Sequence, residues 1–399
     1  MNVIVHATQD ASQRGTTAIA RARALFPLLS SAAPRIDAAN ELPADVLDAM
    51  YETNIFRLLV PRDFGGDELE PADYVQCVEA VAMGNGSAGW CMNQGSGCSM
   101  SAAYLAPAVA LQVLGSREGV IAWGQLRGSK AVVVDGGYRV TGRWAFCSGG
   151  RHATWIGGHC HVVERDGSLR KDPDGSVIER TMLLPKAAVG MEDDWQVFGL
   201  RGTGSNTFFA NDVFVPDDHS LRRDTDTERR QSGTLYRFST NNMYAAGFSA
   251  VALGIARAML DDFISLAREK SPAMAGIPLR DNNRVQFEVA HADVRLRAAR
   301  NHLIQTLRET WDVARQTHPM PMEQRIRVRT AATYGIHVAR AVSETVWNEA
   351  GATAIFDSNV FEHRYRDIHT VTQQAQGRSA HFENVGSWML GGNVNLRFI

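Results

Sequence analysis

Cysteine is scarce: Cys77, Cys91, Cys98, Cys147 and Cys160 are the only five in 399 residues, and no two are spaced as CxxC. An odd, scattered set excludes a disulfide framework and a zinc ribbon, and it fits a reduced, cytoplasmic protein. Net charge is also scarce. Forty-one Lys and Arg against 43 Asp and Glu leave a formal charge of -2, so nothing electrostatic favours nucleic acid or an anionic membrane as a partner. Long hydrophobic runs are missing too. The most apolar stretch, Ala245 to Leu260, carries Arg257 and is short of a bilayer span, so it is read as a buried core helix. The start, Met-Asn-Val-Ile-Val-His-Ala-Thr-Gln-Asp, lacks the basic head and apolar body of a signal peptide. HExxH, GxSxG and Walker A motifs are absent, which removes support for zinc peptidase, α/β-hydrolase and P-loop chemistry.

What is present is ordinary globular material: 45% hydrophobic and 21% charged residues, enough for two to three domains at about 150 residues each. Periodicity divides the chain into three zones, which set expected domains of residues 1–118, 119–232 and 233–399. In the first, Leu42-Pro43 followed by Val46, Leu47 and Met50 puts apolar groups on one helical face. In the second, Ala131 to Val134, then Asp135-Gly136-Gly137, then Tyr138 to Val140 spells a hairpin, and Asp166-Gly167 and Asp174-Gly175 are further turns. In the third, Leu296, Ala299, Leu303, Leu307, Trp311 and Ala314 form one helical stripe, and Val328, Ala331, Gly335, Val338, Val342 and Val346 another. The polar run Arg222 to Ser232 reads as the linker into that helical bundle. The fold class is therefore α+β: helices, a β domain, then a bundle.

Gly84-Asn85-Gly86-Ser87-Ala88-Gly89 matches GxGxxG, but a helical pattern precedes it and no acid stands between Trp90 and Arg117. A dinucleotide fingerprint needs a strand before it and an acid about twenty residues on, so this is read as a helix-ending loop. Glu288-Val289-Ala290-His291 lacks the second ExxH of a di-iron bundle, and His159-Cys160-His161 lacks a distant ligand set, so no metal site is expected. Three segments combine Gly, aromatic and hydroxyl residues densely: 86–90, 142–150 and 195–205. Such groups suit a planar, polar-edged ring such as isoalloxazine, and they equally suit β-domain turns around packed tryptophans.

Leu58-Leu59-Val60-Pro61 with Phe64-Gly65-Gly66, Trp144 to Gly149, Gly199 to Ser205, Asp212 to Pro216, and Tyr365-Arg366-Asp367 together carry a resemblance to the acyl-CoA dehydrogenase superfamily. That resemblance implies an N-terminal helical domain, a central β domain, a C-terminal four-helix bundle and a homotetramer. Gly86 to Trp90, Gly137 to Trp144, Ser148 to Trp155 and Gly202 to Ser205 are similar to one subgroup, the oxygenase components of two-component flavin-dependent monooxygenases. The resemblance implies reduced FMN or FAD from a separate NAD(P)H-dependent flavin reductase, O2 as cosubstrate, and hydroxylation of a small aromatic or heteroaromatic substrate through a C4a-hydroperoxide. It places Ser148 at the flavin N5 edge as a catalytic group. Trp144, Phe146, Trp195, Thr203 and Ser205 are to line the ring, and Lys270, or else Arg268, is to reach the phosphate. Trp90, Asn93, Cys98 and the segment His369 to Gln376, including Gln374, are to form the substrate pocket.

The chain also departs from the family. The dehydrogenases carry a catalytic Glu shortly after the Arg-Asp pair, but here no carboxylate follows Asp367 until Glu383. Abstracting an α-proton needs a base, and neither Ala375 nor Gln376 is one. The histidines that the monooxygenases often carry near Gln374 and Cys98 are missing, which leaves His369 as a displaced catalytic partner. N- or S-oxygenation by the same flavin chemistry, and an FAD-bound acyl-CoA dehydrogenase-like activity, are the alternatives.

Overall fold

The structure, a computed structural model, describes residues 2–272 and 277–395. Six helices come first: α1 (Asn2–Ala24), α2 (Phe26–Ala39), α3 (Ala44–Glu52), α4 (Pro71–Gly84), α5 (Gly86–Ser99) and α6 (Pro107–Leu114). Eight strands follow: β1 (Ile121–Trp123), β2 (Lys130–Val134), β3 (Gly137–Trp144), β4 (Trp155–Val163), β5 (Glu179–Pro185), β6 (Gly190–Met191), β7 (Phe208–Pro216) and β8 (Ser220–Leu221). The chain ends in α7 (Thr240–Glu269), α8 (Asn283–Gln316), α9 (Met322–Ala350), α10 (Val360–Thr372) and α11 (Ala380–Met389).

The strands form one mixed sheet in the order β6-β7-β3-β2-β4-β5-β8, with β1 paired to β4. The β2–β3 hairpin turns through Asp135-Gly136, with Val134 opposite Gly137 and Gly136 at φ +74°. That left-handed angle is one glycine adopts freely. Alternation along β4 sends Cys160 into the β-domain core, while His159 turns the other way and meets the Thr181 hydroxyl at 2.9 Å.

α7 to α10 make the four-helix bundle, and α4 and α5 pack against α7. The two helical zones, far apart in sequence, share one apolar core, while the β domain keeps its own. Within α8 the stripe Leu296, Ala299, Leu303 and Leu307 is buried, and Arg300 lies off it, bonded to Glu79 of α4 at 2.7 Å. α7 runs for 30 residues, longer than the apolar stretch the sequence suggests, but 94% of its most apolar window is buried inside the molecule. It is a core helix. The run Arg222 to Ser232 is a loop pinned by Arg180–Glu228 and Arg222–Asp172 ion pairs and by Arg230 and Gln231 amides on the Ala103 carbonyl.

Candidate active site

Three segments meet where the β domain touches the helices. The first is α5, whose fourteen residues are all buried. Its glycines cost helix propensity, about 1 kcal/mol each relative to alanine, which close packing offsets. A Cβ at Gly89 would press on Ala82 of α4, and one at Gly97 on the Tyr244 ring of α7. The GxGxxG sequence is the α4–α5 junction: Asn85 caps α5, its side-chain oxygen accepting from the Ala88 amide at 3.0 Å.

The second segment is the turn after β3, where Phe146 holds φ +60° and stands 53% exposed, edge-on to Trp195 at 6.1 Å. The third is the loop 195–205. Leu200 is left-handed there at φ +53°, a strain that persists only where neighbours over-determine it. Here the neighbours are visible. The Leu200 amide donates to Asp367 Oδ1 at 2.6 Å, and its carbonyl accepts from Trp195 Nε1 at 3.2 Å and Thr203 Oγ1 at 2.8 Å. Gly199 lies directly on the α10 backbone, where a Cβ would collide with the Arg366 carbonyl and the Thr370 hydroxyl. Gly199→Ala is therefore expected to lift this loop off α10. Overpacking of this kind costs about 1–3 kcal/mol, and thermal unfolding with and without flavin measures it.

The buried hydroxyls at the junction have a fixed direction. Trp90 Nε1 can only donate, and it meets Ser148 Oγ at 3.0 Å. At the other end the Leu200 carbonyl can only accept, so Thr203 spends its single proton there. The 2.7 Å contact between Thr203 and Ser205 must then be donated by Ser205, and the 2.7 Å contact between Ser205 and Ser148 by Ser148. The chain runs Trp90 to Ser148 to Ser205 to Thr203 to Leu200. Ser148, 6% exposed, keeps an accepting lone pair and no spare proton.

Behind this loop lies a buried ionic cluster. Arg366 meets Asp37 of α2 at 2.8 Å; His363 lies 3.2 Å from Asp37 and 3.8 Å from the fully buried Asp367. Burial opposes charge on His363, but Asp367 and Asp37 outweigh it and raise its pKa to about 9, while His363 and Arg366 draw Asp37 below the usual carboxylate range against its own burial. The stability from His363 is therefore complete below pH 6.5 and is lost as pH rises through about 9. Denaturant titrations at pH 7 and pH 10 should show wild type losing on the order of 2–3 kcal/mol more than His363→Gln.

Of the residues expected at the site, Ser148, Thr203, Ser205 and Trp90 are joined in one chain, with Phe146 and Trp195 at its rim. Trp144 is elsewhere. It is fully buried in the β-domain core, stacked on Phe208 at 4.7 Å with its N–H given to the His159 carbonyl, so it lines no open face. Lys270 spends its ammonium on the Ala350 carbonyl and the Thr353 hydroxyl, capping the end of α9. Arg268 stands in the last turn of α7. His369 packs against Tyr365, the rings tilted with centroids 4.3 Å apart, and Glu344 of α9 is 3.9 Å away. Gln374 and Gln376 serve the turn after α10: the Gln376 amide donates to Gln374 Oε1 at 2.6 Å, and Gln376 Oε1 accepts from Arg329 of α9. Asn93 accepts from Tyr74 at 2.8 Å and faces α7.

Cys98 sits in a group that sequence reasoning missed. Its sulfur is 3.3 Å from the Tyr244 hydroxyl, and rings line up from Trp90 through Phe248 at 4.1 Å to Tyr244 at 5.6 Å and Trp123 at 6.2 Å. Tyr244 and Phe248 lie one turn apart on α7, a spacing that any core helix shares, so no sequence signal marks them.

Comparison with known proteins accords with this arrangement. Family models described as the acyl-CoA dehydrogenase N-terminal and C-terminal domains match residues 24–108 and 246–378, together more than half of the chain. Over 360 residues the chain is 29% identical to an indole-3-acetate monooxygenase of Pseudomonas putida, covering 89% of each. It is 28% identical to the flavin-dependent monooxygenase oxygenase subunit HsaA of Rhodococcus jostii, covering 88% of this chain and 91% of that one. The solved structure of XiaF from a Streptomyces species, in complex with FADH2, superposes with a TM-score of 0.89 at 20% identity over 98% of this chain and 99% of that one.

Proposed function

This chain belongs to the acyl-CoA dehydrogenase family, and from that premise we propose that it works as the oxygenase component of a two-component flavin-dependent monooxygenase acting on a small aromatic substrate. When bound, reduced flavin would supply the two electrons that activate O2, and O2 the oxygen atom that is transferred. The residues here suit such a ring. Phe146 and Trp195 offer an aromatic ledge open to a partner, and close to it in the chain stands a buried, mutually bonded row of hydroxyls that can meet a polar ring edge. Ser148, Ser205 and Thr203 would hold the polar edge, and Phe146 and Trp195 the ring.

The observation that carries the reading is the direction of the hydroxyl chain. A reduced flavin presents an N–H at N5, where the oxidised ring presents only a lone pair. Ser148 has a lone pair to offer and no proton, so it matches the reduced form. The protein is therefore expected to purify largely colourless and to bind reduced FMN or FAD more tightly than the oxidised form. Anaerobic titration of both redox states tests this; equal affinities, or a stoichiometric yellow flavin surviving gel filtration, overturn it.

Acyl-CoA dehydrogenation finds no base at the turn after α10. Gln376 is bound to the buried Arg329, and a carboxylate in its place would be held ionised and weakly basic by that guanidinium. No acyl-CoA should bleach an FAD-reconstituted protein. Beyond the shared chemistry, we place the protein in the cytoplasm, where its five buried free thiols and an NAD(P)H-dependent flavin reductase belong together. We carry assembly as a homotetramer over from the family, and Ile355 and Phe356, adjacent and 62% and 61% exposed, offer an apolar contact for a second copy.

A further inference from the structure

A row of aromatic rings leads away from Ser148, and a cation stands at its far end. Trp90, Tyr244 and Trp123 are buried but keep 8%, 8% and 6% of their surface open. The row begins at Trp90, bonded to Ser148, and ends at Trp123, where the Arg223 guanidinium lies 4.7 Å over the ring. Arg223 comes from the linker between the β domain and the bundle and is 23% exposed. Among the described residues its one ion pair is with Glu179 at 3.9 Å, too long for a hydrogen bond. A half-buried guanidinium with open donors, held flat on an indole, is prepared for an anion that arrives beside an aromatic ring. Its charge already acts inward, partly offsetting the burial that pushes the Cys98 thiol up to about 12.

Resting on the monooxygenase reading above, we infer that Arg223 is the carboxylate anchor of the substrate site. The preferred substrate class is an aromatic acid, its ring among Trp90, Phe248, Tyr244 and Trp123 and its short carboxylate arm on Arg223. The acid group is thus held at the end away from Ser148, which orients the ring edge toward the reaction. Neutral aromatics of the same shape fill the rings and leave Arg223 unpaired.

The test is binding, read by tryptophan fluorescence quenching of the purified protein, with indole-3-acetate and uncharged 3-methylindole as probes. Wild type is expected to hold the acid at least tenfold more tightly than 3-methylindole, with the difference shrinking as salt is raised. Arg223→Gln should lose that tenfold preference and keep its affinity for 3-methylindole, which also shows that it is folded; Arg223→Lys should keep part of the preference. Equal affinity of wild type for the two probes, binding of neither, or an unaltered preference in Arg223→Gln overturns the anchor. Each of those results leaves the flavin titration standing, whereas equal binding of oxidised and reduced flavin strikes the monooxygenase reading itself.

Discussion

Ser148→Ala is expected to release at least tenfold more hydrogen peroxide per product than wild type. A hydroxyl that accepts from Trp90 and donates to Ser205 has its oxygen fixed, and its remaining lone pair meets whatever N–H the ligand brings. One hydrogen bond in a water-poor site is worth on the order of 1–3 kcal/mol, and 1.4 kcal/mol is a factor of ten in rate. The substitution also carries a structural cost. The buried Trp90 N–H loses its acceptor, so unfolding should become easier by about 1–3 kcal/mol. Trp90→Phe separates the two effects, since it removes the donor and leaves the hydroxyl chain whole. If loosening alone causes uncoupling, Trp90→Phe should leak peroxide as Ser148→Ala does. If the Ser148 oxygen matters, Trp90→Phe should stay coupled. Normal coupling in Ser148→Ala removes Ser148 from the mechanism.

Asp367→Ala is expected to be among the most damaging single changes in the chain. The carboxylate is 1% exposed, accepts from the Leu200 amide at 2.6 Å and faces His363 at 3.8 Å. Removing it strands the buried Leu200 N–H and takes from His363 one of its two carboxylates, leaving Asp37 at 3.2 Å; breaking buried interactions of this kind typically costs about 3–5 kcal/mol. The melting temperature should fall by about 4–6 °C. The damage should also be local. Without Asp367 the Leu200 amide loses its partner, so the left-handed residue is held less firmly, the Trp195 and Thr203 bonds to its carbonyl loosen, and flavin affinity and Trp195 emission should change together. Asp367→Asn keeps the acceptor and drops the charge. It should keep the loop and lower the His363 pKa, so the alkaline loss of stability moves to lower pH. A melting temperature and flavin affinity unchanged in Asp367→Ala would show that Gly199 and its neighbours hold the loop without it.

The three zones, the bundle stripes and the hairpin at Asp135-Gly136 were legible because each depends on local chemistry: a repeat of apolar residues, or a turn that only certain residues can make. Ser148, Thr203 and Ser205 drew attention for the same reason, as hydroxyls crowded among glycines. Trp144 did not behave as its wording suggested, because its side faces the β-domain core and only strand register decides which side that is. Lys270 and Gln376 were assigned by family position, yet their polar ends are taken by Ala350, Thr353 and Arg329, partners from a helix that no spacing rule connects to them.

Periodicity and turn chemistry thus determined the α+β class and the order of helices, strands and bundle, since these follow from which residues are present and how they repeat; the missing dehydrogenase base was legible only through the family resemblance. The tertiary structure alone decided the rest. Whether Ser148 gives or takes a proton depends on Trp90, Ser205 and Leu200 standing around it, 58, 57 and 52 positions away along the chain. Hydrogen-bond direction and the meeting of Arg223 with Trp123 are properties of contacts between distant segments, and a linear pattern carries no term for them.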